Sequence, residues 1–223
     1  MEEVGGDFWK EEIEYRNDIN KDFFKLGKDN QFVMSGRTAI DVALQDILKT
    51  RNIKNVYFPS YSCESMMQPF KDRGIKIDFY NLFFDKSLKY KINKDFDCDI
   101  FFAMNYFGYT CTNMEDYIKI FKSRNVIVIE DFTQSLLSSK PFCIYSDYLV
   151  CSLRKWFPIN CGGIVSKVNE KFMINFEKFN INYEVVENKK IAMNQKKKCI
   201  INNTLDDFKD EFLLLYKKSN LTI

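Results

Sequence analysis

Histidine is absent from this chain of 223 residues. That excludes every Ser-His-Asp or Cys-His nucleophile and every His-ligated metal site built within it. A general acid or base has to be Lys, Asp, Glu, Tyr or Cys. Net charge is nearly absent as well. The chain carries 33 Lys and Arg against 31 Asp and Glu, for a balance of +2, so nothing pulls it globally toward nucleic acid or a membrane. No apolar run approaches the length needed to span a bilayer. The first residues, Met1 to Gly6, are acidic and lack the apolar segment of a signal peptide. There is no CxxC pair among the seven cysteines at 63, 98, 111, 143, 151, 161 and 199. An odd set in mostly apolar surroundings predicts buried free thiols in a reducing cytoplasm. Internal repeats and long low-complexity tracts are missing too.

What is present is a large supply of core. Hydrophobic residues make up 46% of the chain, including 22 Phe and 12 Tyr, which argues against disorder over most of the length. The length suits one domain, or one domain and a fragment.

Strand and helix patterns alternate. The charged, aromatic residues 1–30 are expected as helix and loop. Apolar Phe32-Val33-Met34 is broken by Ser35-Gly36-Arg37-Thr38, and Ile40, Ala43, Leu44, Ile47 and Leu48 then form a helical stripe. Asn55 to Pro59 reads as a buried strand stopped by proline. Residues 62–73 read as helix, and 75–80 and 99–104 as strands. Residues 114–124 read as amphipathic helix. Val126 to Ile129, an unbroken β-branched run, reads as a central strand. Tyr148–Ser152 and Gly163–Ser166 read as two more strands, joined by the loop that carries Lys155. The Asn- and Lys-rich residues 169–198 read as a solvated linker or face, and Leu205 to Lys217 as a last helix striped by Phe208, Phe212 and Leu215. This alternation predicts an α/β fold with a mostly parallel central sheet flanked by helices. Residues 1–170 are expected to form the large domain, and 171–223 a helical C-terminal remnant.

In parallel sheets ligands lie beyond the carboxyl ends of the strands. Four segments fall there: Pro59-Ser60-Tyr61, Asn105-Tyr106, Asp131 to Gln134, and Ser152 to Lys155. A helix start such as Ser35-Gly36-Arg37-Thr38-Ala39 offers backbone amides and a positive dipole end. It can hold a phosphate, with Arg37 and Thr38 as further donors, or it is an ordinary capped helix. Asp131 ends a buried strand, where a carboxylate needs a cationic or hydrogen-bonding partner or else caps the next turn. Gln134 can reach the same ligand or a neighbouring backbone group. Lys155 precedes Trp156-Phe157-Pro158, and aromatic neighbours would desolvate its amine and favour attack on an aldehyde. Tyr61 and Tyr106 can stack on a planar ring or simply fill core and rim. A lysine that forms a Schiff base, with an aspartate holding a pyridinium nitrogen, is what pyridoxal phosphate (PLP) chemistry requires.

These residues resemble the fold-type I PLP enzymes, and among them the sugar aminotransferases of the DegT/StrS type. Ser35-Gly36-Arg37-Thr38-Ala39 is similar to that family's Ser-Gly-Thr-Ala helix start, and Val56 to Tyr61 to its Val-Pro-Ser-Tyr strand end. Asn105-Tyr106-Phe107-Gly108 resembles His-Leu-Tyr-Gly, and Glu130 to Ser135 resembles Glu-Asp-Ala-Ala-Gln-Ala. Ser152, Lys155 and Gly162-Gly163 are similar to the Schiff-base lysine loop. The resemblance implies that Lys155 carries PLP and shuttles the proton. It implies that Asp131 pairs with the ring nitrogen, that Gln134 contacts the ring hydroxyl, and that Ser35, Gly36, Arg37, Thr38 and Ser152 hold the phosphate, with Tyr61 at the ring. It further implies amino transfer from an amino acid to a nucleotide-linked keto-sugar, in a homodimer. Arg37 stands in place of a small Thr, the Ser152-to-Lys155 spacing is short, and the family's small C-terminal domain is mostly missing. The alternative is a non-catalytic PLP-fold protein that acts as a binding or dimerisation module.

Overall fold

Short β-branched and aromatic runs, stopped by Pro, Gly or Asp, build the strands, and apolar stripes at helical spacing build the helices that cover them. A computed structural model describes residues 24–108, 114–138, 142–176, 182–202, 204 and 209–216. In chain order they form β1 (Asp29–Val33), α1 (Gly36–Ile47), β2 (Asn55–Pro59), α2 (Glu64–Lys71), β3 (Lys76–Asp85) and β4 (Ser87–Lys91). There follow β5 (Ile100–Met104), α3 (Met114–Ser123), β6 (Ile127–Asp131), β7 (Tyr148–Ser152), β8 (Gly163–Lys167) and α4 (Tyr183–Ile201).

All eight strands join one sheet, in the order β1-β8-β7-β6-β5-β2-β3-β4. β3, β2, β5, β6 and β7 run parallel, as the alternation of elements requires. β8 is antiparallel to both β7 and β1, and β4 folds back on β3. The two reversals around β8 leave β1 pointing the same way as β7. Val33 and Ser152 both pair with Gly163, so the start of α1 is delivered to the carboxyl ends of the parallel strands.

Both faces of the central strands are buried. Along β5, Ile100 and Phe102 pack with α1 and α2 on one face, while Phe101 and Ala103 pack with α3 on the other. A third cluster, built on Phe132, Leu149, Cys151, Leu153 and Ile164, lies beneath the Lys155 loop. Of the cysteines described, Cys98, Cys143, Cys151 and Cys199 are buried and all six are free thiols.

Three elements differ from expectation. β1 is a partly buried edge strand, and the strand expected over 75–80 runs on to Asp85 and turns into β4. The Asn- and Lys-rich tract is not wholly a solvated linker, because residues 183–201 form α4. Its start is capped by Asn182, whose Oδ1 accepts from the Val185 amide at 3.2 Å, and Val185, Ala192, Met193 and Cys199 are buried along it. Glu, Lys, Gln, Met and Ala are strong helix formers, and their long stems cover apolar surface whatever their charge. Residues 209–216 of the expected last helix are helical, with Phe212 buried. Residues 1–23, 205–208 and 217, and Cys111, lie outside the described residues. Among those described, no helix is long and apolar enough to cross a membrane.

Candidate functional site

The strand order brings the helix start at Ser35 against the end of β7. Ser35 caps α1: its Oγ accepts from the Thr38 amide at 3.1 Å and lies 2.9 Å from the Thr38 hydroxyl. Gly36 is required by what stands opposite, since a Cβ there would lie 2.9 Å from the Ser152 Cβ. A Cβ on Gly163 would likewise run into the Ser35 carbonyl. Ser35, Gly36, Thr38 and Ser152 therefore gather at one point, at the positive end of a helix of 12 residues. Arg37 is half-buried beside them. Desolvation lowers its pKa, against the opposing pull of Asp72 and Asp41.

Asp131 ends β6, beside β7, and is buried. Desolvation pushes its carboxyl up to about 6, although Thr133 lowers it through both a hydroxyl and a backbone hydrogen bond. The backbone bond, from the Thr133 amide to Asp131 Oδ1, measures 2.8 Å. A carboxyl in that state gains from a cationic partner.

Gln134 makes the backbone contact its spacing allowed: its Oε1 accepts from the Phe107 amide at 3.2 Å. Phe107 has φ +58 and is followed by Gly108 at φ +63, so the turn after β5 is wound left-handed, with the Phe107 ring 64% exposed. Tyr106 is fully buried and donates its hydroxyl to the Tyr61 carbonyl, while the Tyr61 ring is 65% exposed beside it, 5.8 Å between centroids. Of the two tyrosines, Tyr106 is core and Tyr61 is rim.

Lys155 closes a 3-10 turn, Leu153–Lys155, just beyond β7. The loop is pinned by the Leu153 amide on the Gly162 carbonyl and the Gly162 amide on the Met34 carbonyl, at 3.0 and 2.8 Å. Lys155 itself is exposed. The aromatic residues expected to desolvate it, Trp156 and Phe157, pack with Ile159 on the core beneath, and the Trp156 indole donates to the Thr133 carbonyl. Burying that apolar area is worth more than laying it over one amine.

Sequence reasoning missed two residues. Glu130, fully buried, accepts from Asn105 Nδ2 at 2.7 Å, from the Cys143 amide and from Ser146 Oγ at 2.6 Å. Desolvation nevertheless pushes it up to about 7. Thr133 was the other, and its only signal was a hydroxyl residue where the resembling segment has alanine. Among the described residues no cluster of His, Cys, Asp or Glu could hold a metal.

No family profile matches the chain, and no curated protein sequence matches it at a significant level. Solved structures do. A SepCysS–SepCysE N-terminal domain complex aligns with a TM-score of 0.51 at 11% identity, over 66% of this chain and 43% of that one. 3-Amino-5-hydroxybenzoic acid synthase aligns at 0.49 and 15%, over 64% and 39%. A PLP-bound aminotransferase from Clostridium difficile 630 aligns at 0.48 and 13%, over 63% and 42%. The chain thus spans about two-fifths of the length of the structures it matches. At 11% identity the likeness to the SepCysS–SepCysE structure is one of fold alone, a mostly parallel sheet flanked by helices.

Proposed function

We propose that the chain is a PLP-dependent aminotransferase-like protein of the DegT/StrS type, with residues 1–170 as its cofactor-binding domain and 171–223 as a remnant of the small domain. In this reading it works in the cytoplasm as a homodimer, and moves an amino group from an amino acid to a nucleotide-linked keto-sugar. The observation that carries it is the meeting of the Ser35-Gly36 helix start with Ser152, one strand away from a buried Asp131.

These residues fit PLP. The close approach at Gly36 leaves room for backbone rather than side chain around an anion, and Asp131 has the burial and raised pKa of a carboxyl suited to a cationic ring nitrogen. When bound, PLP supplies an aldehyde and an electron-withdrawing ring. The chain does the rest. The α1 start with Ser35, Thr38 and Ser152 binds the phosphate, and Arg37 adds positive charge. Asp131 keeps a proton on the ring nitrogen. Gln134, its Oε1 bonded by the Phe107 amide, would offer its amide donors to the ring hydroxyl, and Tyr61 would lie at the ring. Lys155 would hold PLP through its amine, the aldehyde oxygen leaving as water, and would serve as the group that moves the proton.

A second reading is favoured by the exposure of Lys155: a module that binds PLP without turnover. Both are tested on the purified chain by adding PLP, reducing with borohydride and mapping the labelled peptide, with Lys155→Ala as control. The expected result is a yellow protein labelled at Lys155 and an unlabelled variant. No label at saturating PLP sinks both readings. Bleaching of the visible band by L-glutamate supports the aminotransferase, and a band indifferent to a panel of amino donors supports the module.

A further inference from the structure

Thr133 touches three parts of the candidate site at once. Its amide donates to Asp131 Oδ1 at 2.8 Å, and its hydroxyl hydrogen-bonds the same carboxylate. That hydroxyl oxygen also accepts from the Ser152 amide at 2.9 Å. Its carbonyl takes the indole N–H of Trp156, the neighbour of Lys155. The end of β6, the end of β7 and the lysine turn are therefore tied through one residue.

We propose that Thr133 is a positioning residue of the cofactor site, its amide holding the Asp131 carboxylate and its hydroxyl the Ser152 end of β7 so that ring-nitrogen partner and phosphate cradle keep one separation. The proposal rests on the PLP reading above. The backbone bonds joining β6 to β7 end with the Phe132 amide on the Val150 carbonyl at 3.1 Å, two residues short of Ser152. Past that last bond the Thr133 hydroxyl is the side-chain link between the strand ends. Without it the Ser152 amide loses its acceptor and Asp131 loses one of two donors, in a place where water cannot readily replace them. The groups facing Asp131 besides Thr133 are Glu130, Tyr106 and Cys151. The Glu130 carboxylate is taken up by Asn105, Cys143 and Ser146, the Tyr106 hydroxyl is given to the Tyr61 carbonyl, and the Cys151 thiol is a weak donor, so none replaces the lost hydroxyl.

The test compares Thr133→Val, which keeps the shape and every backbone bond, with Thr133→Ser, which keeps the hydroxyl. Two readouts apply: carboxyl titration of Asp131 by NMR in the protein without PLP, and PLP affinity by absorbance. In Thr133→Val the Asp131 titration is expected to move further up and PLP affinity to fall by roughly tenfold or more, with Thr133→Ser close to wild type in both. Thr133→Ala replaces Thr133→Val if the latter fails to fold. If wild type takes the Lys155 label and the valine and serine variants bind PLP alike with the same Asp131 titration, the proposal is overturned alone. If wild type takes no label, the cofactor reading is overturned and the proposal with it.

Discussion

Gly36 and Ser152 lie so close that a methyl group on residue 36 would stand 2.9 Å from the Ser152 Cβ and 3.4 Å from its backbone nitrogen. The contact joins the first turn of α1 to the end of β7, and backbone on the Ser152 side leaves little to give way. Gly36→Ala is expected to cost about 1–3 kcal/mol in stability, as overpacking does. It is also expected to weaken PLP binding by more than that loss explains, because the helix start shifts off its axis. Urea unfolding and PLP titration of the same variant check both. Unchanged PLP affinity would show that this meeting point is packing alone.

Glu130 and Asp131 are consecutive buried carboxyls, pushed up to about 7 and about 6 from ordinary values of 4.5 and 3.8, chiefly by desolvation. Raised folded values mean that the folded chain holds protons the unfolded chain has released. The stability they contribute is full below the ordinary values and is lost as pH rises through about 6 and 7. At 1.36 kcal/mol per pKa unit each group accounts for about 3 kcal/mol at most. Glu130→Gln removes one of the two titrations while keeping the size and an acceptor for the Cys143 amide. Relative to wild type, the variant is therefore expected to gain stability as pH rises from 4.5 to about 7, and to keep that gain above it. Denaturant unfolding across that range checks it, and a difference that does not vary with pH would be the contrary result.

Much of this arrangement is legible in the residues. β-branched and aromatic runs that are buried on both faces announce themselves, and the four strand-end segments that follow them are found where the pattern places them. The elements that escaped are those with one partner. β4 is the sheet's outer edge, hydrogen-bonded only to β3, so its Ser87-Leu88-Lys89-Tyr90-Lys91 need not be apolar. In α4 the inward face runs through Val185, Lys189, Ala192 and Met193. A lysine and an alanine break the stripe that would mark it. The environment of Lys155 was also hidden. Sequence places three large apolar residues within four positions of it, but only the fold decides that Trp156, Phe157 and Ile159 point down into the core.

The Asn182 cap carries its own expectation. Its side chain accepts from the Val185 amide at the head of a helix whose charged composition buries little apolar surface. Asn182→Ala is expected to cost about 1 kcal/mol. That loss should fall on the helix rather than on the sheet. Hydrogen exchange would then show faster exchange over residues 183–190 with β5 and β6 unchanged, whereas uniform acceleration would mean that α4 unfolds only with the whole.

Asp46 and Lys167 form an ion pair buried between α1 and β8, 2.9 Å from Nζ to Oδ2, with side chains 0% and 8% exposed. Asp46 also accepts from the Tyr148 hydroxyl at 2.7 Å and from the Met173 amide at 2.6 Å, so it anchors the chain as it leaves the sheet. Desolvation works to lower the Lys167 pKa, but the hydrogen bonds and charges of Asp46 and Glu170 outweigh it and raise the value. Removing Lys167 strands the Asp46 carboxylate, whereas removing Asp46 leaves Lys167 with Glu170 at 3.2 Å but strands the Tyr148 hydroxyl and the Met173 amide. Lys167→Met is expected to cost about 3–5 kcal/mol, and Asp46→Leu a similar amount. The double variant removes both charges together, and what remains is the unmet Tyr148 hydroxyl and Met173 amide, about 1–3 kcal/mol each. It should therefore be more stable than the sum of the single losses allows. A double-mutant cycle by urea unfolding measures that coupling. Strict additivity would mean that the charges are already met by solvent, and that the anchor on Met173, not the ion pair, is what α1 and β8 share.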